Sequence, residues 1–219
     1  MSRVLVIGDT HCPAMHKKYI PFLKKVQKKW KANHVVHIGD VIDHHCISFH
    51  EKHPDNEGAK REYDLTIKQV AQLYKAFPVV DVCIGNHDAR VHRLSSKVGI
   101  PPMYIRRFND LYATHDWDWF QTFEIDGVHY SHGEGCGGAT PAFSAAKLRL
   151  HNTVGGHYHS TAGVWYQAGP KHRIFGMNVG CGVDRTHWSM QYGANYLKKP
   201  IVSCAVVIDG DPYLEVMDL

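Results

Sequence analysis

Five short polar clusters hold the residues best suited to chemistry: Gly8-Asp9-Thr10-His11, Gly39-Asp40-Val41-Ile42-Asp43, Gly85-Asn86-His87-Asp88, Ser131-His132-Gly133 and Gly156-His157-Tyr158-His159. Their side chains are carboxylates, imidazoles and one amide oxygen, which suit Mn²⁺, Fe, Zn²⁺ or Ni²⁺ better than a thiolate zinc site would. One ion needs three or four ligands, and seven candidates are present. That count points to two divalent metal ions, Mn²⁺ foremost with Fe, Zn²⁺, Ni²⁺ or Mg²⁺ as alternatives, bridged by a shared carboxylate and about 3.5–4 Å apart. Such a pair clamps a phosphate, acidifies a bridging water and stabilises charge on the equatorial oxygens. Each cluster alone is weak, because an Asp-x-His is commonly a turn or a helix cap. Their weight lies in their order, each following directly after a strand-like run.

Those runs define the elements that must position the clusters. β-Branched stretches at residues 4–7, 35–38 and 79–84 end at Gly8, Gly39 and Gly85. Between them lie two helical patterns, one with Tyr19, Phe22, Leu23, Val26 and Trp30 on a face, the other with Ala59, Tyr63, Ile67, Val70, Tyr74 and Phe77. Strand–helix–strand–helix–strand order predicts a parallel, right-handed α/β core, and ligands of such sheets gather at the carboxyl ends of the strands. The glycines would let the backbone turn sharply there. The second half crowds strand candidates at 120–125, 128–131, 154–155, 162–166, 173–178, 201–208 and 213–216, interrupted by a helix near 142–151. Asp126-Gly127 and Asp209-Gly210 are hairpin signals. A second, more antiparallel sheet stacked on the first is expected. Residues 89–118 fit neither pattern and read as an insertion covering the site, within a single domain spanning 1–219.

Composition bounds the rest. At 219 residues with 44% apolar and 21% charged side chains, the chain has an ordinary globular mixture, and a core of that size needs no disulfide or structural metal. Six cysteines are scattered without a C-x-x-C pair and read as reduced thiols. No apolar stretch is long enough to cross a bilayer, and no leader precedes the first strand, so a soluble cytoplasmic protein with no membrane partner is expected.

The ordered set Asp9-x-His11, Gly39-Asp40-x-x-Asp43, Gly85-Asn86-His87-Asp88, His132 and Gly156-His157-x-His159 resembles the calcineurin-like metallophosphoesterase superfamily. The likeness extends weakly to Asn178-Val179-Gly180-Cys181-Gly182, which is similar to a turn many members carry after the final histidine pair. The resemblance implies a four-layer α/β/β/α sandwich of two mixed sheets flanked by helices. It implies one metal held by Asp9, His11, Asp40 and His159, and another by Asp40, Asn86, His132 and His157, with Asp40 as the bridge. It makes His87 the group that contacts the scissile phosphate and protonates the leaving oxygen while metal-activated water attacks phosphorus. Asp43 would orient that histidine and keep it cationic. Protein serine/threonine phosphatases continue the second motif into Arg-Gly, whose arginine grips the phosphate, and end the third in Glu. Here the corresponding residues are His44, His45 and Asp88, which points towards the branch of phosphodiesterases and DNA-repair nucleases.

The expected activity is therefore hydrolysis of nucleic-acid or nucleotide phosphodiesters, with DNA, RNA or a nucleotide as partner. Asn86, His87, His44 and Arg90 are the candidate substrate contacts. The net charge of +4, the lysines 17, 18, 24, 25, 28, 29 and 31, the arginines 90, 93, 106 and 107, and Trp117, Trp119 and Trp188 are compatible with it. A solvated helix face and a packed core are the simpler accounts of the same lysines and tryptophans. The alternative enzyme is a phosphomonoesterase acting on a small molecule or phosphopeptide. A non-enzymatic metal-bound scaffold ranks behind both, since the acid and every ligand position are present.

Overall fold

β1 (Arg3–Ile7) shows why the first half forms a doubly covered sheet. Val4 and Val6 point into one apolar cluster and Leu5 and Ile7 into another, as alternate side chains of a strand must. β1 pairs in parallel with β2 (His34–His37), β2 with β3 (Val80–Cys83), and β3 with β4 (Trp117–Phe120). On its other edge β1 pairs antiparallel with β10 (Ser203–Ile208), which pairs with β11 (Asp211–Val216), completing a six-stranded sheet. The computed structural model describes residues 2–49, 54–55, 58–193 and 195–219.

The second sheet contains β5 (Thr122–Ile125), β6 (Val128–Ser131), β7 (Asn152–Gly155), β8 (Ala162–Ala168) and β9 (Arg173–Val179), in the order β5-β6-β7-β9-β8. Its two inner pairings are parallel and its two outer ones antiparallel. Val4, Val6, Val36, Ile38 and Val207 of the first sheet meet Val128, Tyr130, Val154, Phe175 and Met177 of the second in one buried cluster. Helices α1 (Tyr19–Trp30) and α2 (Gly58–Ala76) cover the outer face of the first sheet, burying Tyr19, Leu23, Val26, Val70 and Leu73 against Leu5, Ile7 and Val82. Each such side chain removed from water is worth about 1.5–3 kcal/mol. Helix α5 (Pro141–Arg149) lies on β7 and β9. The architecture is the expected α/β/β/α sandwich of two mixed sheets.

Both hairpin signals hold. Asp126-Gly127 joins β5 to β6, and Asp209-Gly210 joins β10 to β11, with all four residues at positive φ, as tight two-residue turns require. The stretch expected as one strand at 120–125 is instead the end of β4 and all of β5, which belong to different sheets and part at Gln121. Residues 89–118 contain α3 (Arg90–Lys97), a 3₁₀ turn at Pro102–Tyr104, α4 (Phe108–Tyr112) and the start of β4. Tyr63 of α2 ties α4 down by donating to the Leu111 carbonyl at 2.9 Å. Cys12, Cys83, Cys136, Cys181 and Cys204 are free thiols. No helix among the described residues is long and apolar enough to cross a membrane.

Candidate metal centre

Clusters from β1, β2 and β3 of the first sheet and from β6 and β7 of the second meet around Asp40. Its Oδ2 lies 3.4 Å from His11 Nε2 and 3.1 Å from His132 Nε2, while its Oδ1 accepts the His87 backbone N–H at 2.8 Å. On one flank His159 Nε2 lies 3.2 Å from Asp9 Oδ2 and 3.1 Å from His11 Nε2. On the other, Asn86 Oδ1 and His157 Nδ1 lie 3.0 and 3.2 Å from His132 Nε2. Asp9, His11, Asp40 and His132 are all buried.

The partners settle the tautomers. His132 Nδ1 faces the Ile38 carbonyl at 3.1 Å, and a carbonyl only accepts, so Nδ1 carries the proton and Nε2 aims a lone pair inward. His11 is arranged alike, its Nδ1 donating to Asp43 Oδ1 at 2.9 Å. The inward atoms of the centre are therefore acceptors crowded about one another. They repel unless a cation stands among them. Without a metal a proton fills that need at His132: burial opposes the charge, but Asp40 and Asp9 lift its pKa to about 10. Burial likewise pushes the Asp9 and Asp40 carboxyls up, yet the surrounding imidazoles, His132 foremost, bring both below the usual range. Asp9 Oδ1 is buried with no hydrogen-bond partner, a costly state. The crowded donors and this orphaned oxygen both fit divalent ions, and three overlapping sets, Asp9/His11/His159, His11/Asp40/His87 and Asp40/His132/His157, are positioned to hold metal.

Local backbone geometry is bent to achieve this. His11, Asp40 and His157 sit at φ of 45°, 49° and 67°, left-handed conformations that cost a non-glycine residue about 1 kcal/mol or more. The backbone N–H groups of Thr10 and His11 hold the turn by donating to the Asp40 carbonyl at 3.1 and 2.9 Å, and His157 N–H donates to Asp9 Oδ2 at 2.9 Å. Of the glycines that lead into the clusters, Gly39 alone has a positive φ, 107°. Gly85 and Gly156 serve a different purpose: a Cβ there would land on Asp40 Oδ1 and Asp9 Oδ1 respectively. They supply space for a carboxylate, not a turn.

Around the donors lies a bracing layer. Asp43 Oδ1 receives both His11 Nδ1–H and His87 Nδ1–H, the latter at 3.1 Å, and these two histidines hold the Asp43 carboxyl far below its ordinary pKa against the opposing effect of burial. His87 Nδ1 also lies 2.7 Å from the Asp43 carbonyl. Burial disfavours charge on His87, but Asp40 and Asp43 outweigh it and raise the pKa. Arg90 is 4% exposed. Its guanidinium donates to the Asp43 and His44 carbonyls at 2.9 Å each and to His87 Nε2 at 3.1 Å.

His44, expected against substrate, instead supports its neighbours, with Nδ1 donating to the His87 carbonyl at 2.9 Å and Nε2 accepting from the Tyr112 hydroxyl at 2.8 Å. Among the tryptophans, Trp117 is fully buried and donates to the Phe77 carbonyl, Trp119 stacks on Phe108, and Trp188 meets His45 edge-on. Of the lysines on α1, Lys29 pairs with Glu215 and Lys24 sits over the Phe77 ring.

Sequence reasoning missed several braces. Asp88 accepts from the backbone N–H groups of Ile42 and Gly85, tying the second cluster to the third; burial and Asp40 push its pKa up to about 7. His37, kept neutral by burial with its pKa near 3, donates to Thr10 Oγ1, whose hydroxyl donates to the Val41 carbonyl. Tyr19 accepts from Gly8 N–H and donates to the Ser203 carbonyl. Asn178, noticed only as part of a weak motif, accepts from Ala142 N–H and donates to the Gly156 carbonyl, linking α5 to the turn that carries His157. Nothing in these residue types separates them from ordinary loop polar residues.

A cleft of about 730 Å³ opens over the centre, lined by His11, Asp40, His87, His157 and His159 and, across from them, by residues drawn from 185–200.

Solved structures match the chain at low identity. Vps29 from Chaetomium thermophilum is 13% identical, with 99% of this chain and 97% of that one covered and a TM-score of 0.49. Yfce, a phosphoesterase from E. coli, is 16% identical over 94% of this chain and 88% of that one, with a TM-score of 0.45. Nuclease MPE from Pseudomonas putida is 13% identical over 98% and 87%, also at 0.45. Values this low carry nothing about substrate or activity. No curated protein sequence matches the chain. The family model described as calcineurin-like phosphoesterase matches residues 2–171, and the chain belongs to that family.

Proposed function

We propose that the chain is a dinuclear metal-dependent phosphodiesterase that hydrolyses nucleic-acid or nucleotide phosphodiesters. Asp9, His11, Asp40 and His159 would hold one divalent ion, and Asp40, Asn86, His132 and His157 the other. The observation that carries this reading is the place of Asp40 Oδ2 between the inward lone pairs of His11 and His132. When bound, two such ions supply charge neutralisation at the phosphoryl oxygens and an acidified water.

The chain's own residues do the rest. Asp43 anchors His87 through Nδ1 and, with Asp40, favours its protonated form, so Nε2 can bring a proton to the leaving oxygen, a contribution of about 10²–10⁴ in rate. A guanidinium only donates, so Arg90 must leave His87 Nε2 whenever that atom is protonated. Holding Arg90 on the Asp43 and His44 carbonyls keeps it close while the exchange occurs.

The second motif favours diesters. A monoester dianion calls for a fixed cation beside the metals, and the second motif offers none: His44 has both ring nitrogens engaged, and Arg90 is turned to backbone carbonyls. A monoanionic diester asks for less. The test compares bis-p-nitrophenyl phosphate with p-nitrophenyl phosphate under Mn²⁺. The expected result is metal-dependent turnover that prefers the diester, with Asp40→Asn lowering kcat/KM at least about a thousandfold, as loss of a shared ligand in a two-metal site implies. Preference for the monoester would make the protein a phosphatase, and silence with every divalent ion would refute the enzymatic reading.

A further inference from the structure

The two walls of the cleft differ in charge. The metal-centre wall carries Asp40 and imidazoles, while the facing wall carries Arg185, Lys198 and Lys199 together with Tyr196. Arg185 and Lys198 are exposed, and among the described residues no carboxylate other than Asp40 lines the cleft. With divalent ions held at the centre, both walls of the cleft would carry positive charge, and a low-dielectric cleft focuses such a field. A substrate with one phosphate would use the metal centre and make no use of the facing cations.

A smaller groove of about 190 Å³ shares Arg185, Thr186 and Pro200 with the cleft, and Asp184 and His16 line it as well. The exposed Lys17 and Lys18 follow His16 in the chain. Arg185 thus stands where the two depressions join.

Building on the phosphodiesterase reading above, we propose that Arg185, Tyr196 and Lys198 form a subsite for the phosphate that flanks the scissile one, so that the substrate class is a single-stranded oligonucleotide. Arg185 and Lys198 pair with the flanking phosphate. Tyr196, 60% exposed, offers a ring on which the neighbouring base stacks.

The test measures kcat/KM for a short single-stranded oligonucleotide, as DNA and as RNA, and for bis-p-nitrophenyl phosphate, which lacks a flanking phosphate. Wild type is compared with Arg185→Ala/Lys198→Ala and with the charge-preserving Arg185→Lys/Lys198→Arg. The expected result is a fall of at least about tenfold in the oligonucleotide-to-bis-p-nitrophenyl phosphate ratio for the alanine pair, carried by KM, and recovery in the charge-preserving pair. The salt dependence of log(kcat/KM) should also become shallower by about 0.7, the contribution of one neutralised single-strand phosphate to that slope. If wild type cleaves the small diester but the alanine pair leaves the ratio unchanged, the subsite falls and the diesterase stands. If wild type cleaves neither substrate with any divalent ion, both fall.

Discussion

Asp43→Asn is the sharpest probe of the bracing layer, because it keeps shape and removes charge. Asp43 Oδ1 takes the Nδ1–H of His11 at 2.9 Å and of His87 at 3.1 Å, and the side chain is almost wholly buried. A hydrogen bond to a charged partner is worth about 1.5–3 kcal/mol and a neutral one about 0.5–1.5. Each of the two bonds should therefore lose about 1–1.5 kcal/mol, about 2–3 together, or about 30–150-fold in kcat/KM at about 1.4 kcal/mol per decade. The halves of that loss are separable. On the His11 side a less basic imidazole weakens metal binding, for which loss of an outer partner typically costs about 10–100-fold, so the Mn²⁺ activation midpoint should rise. On the His87 side the acid loses a group that raises its pKa. A general acid must be protonated, so the alkaline limb of the pH–rate profile should move down by about one unit, the equivalent of about 1.4 kcal/mol.

The assay is bis-p-nitrophenyl phosphate hydrolysis across Mn²⁺ concentration and pH, for Asp43→Asn, His87→Gln and the pair. Residues that act through one another are not additive. The double variant should therefore fall below His87→Gln only by the His11 share, about tenfold. A single Asp43→Asn protein within threefold of wild type, with its alkaline limb unmoved, would refute the reasoning.

Two further outcomes follow from the charges described. Removing divalent ions with a chelator should lower Tm by about 5–11 °C relative to protein in Mn²⁺ at about a hundred times its dissociation constant, since such binding contributes about 2.7 kcal/mol and a chain of this size shifts about 2–4 °C per kcal/mol; an unchanged Tm in differential scanning calorimetry would count against a metal centre. His34 Nε2 lies 2.8 Å from Asp81 Oδ2 across β2 and β3, and that hydrogen bond raises the His34 pKa despite partial burial. A raised folded pKa contributes stability fully present below the unfolded value of about 6.5 and lost as pH rises through the folded one. His34→Gln should thus cost about 0.5 kcal/mol in urea unfolding at pH 5.5, a figure reduced for solvent screening, and almost nothing at pH 8.5; a gap equal at both pH values would contradict the ion pair.

The parallel half of the first sheet was legible because β1, β2 and β3 are covered on both faces, so that short β-branched runs stand out from the polar helices between them. β4 was not. Trp117-Asp118-Trp119-Phe120 follows the five-residue α4, too short to show a period, and turns into β5 at Gln121 with no glycine or proline to mark the change of sheet. The centre divides along a similar line. The clusters that carry Asp9, His11, Asp40, Asn86, His132, His157 and His159 could be picked out because chemistry at a metal restricts residue type, and the fold brings these seven side chains together. What orients them follows no such restriction. His132 is fixed by the carbonyl of Ile38 and His87 by that of Asp43, and every residue in the chain carries a carbonyl. Gly85 and Gly156 were read as turns when they are clearances, because a missing side chain looks the same in sequence whether it frees a dihedral angle or makes room for a carboxylate arriving from another strand. Donors can be read one segment at a time. The geometry that makes them act together exists only between segments, and there the sequence has no local signal to offer.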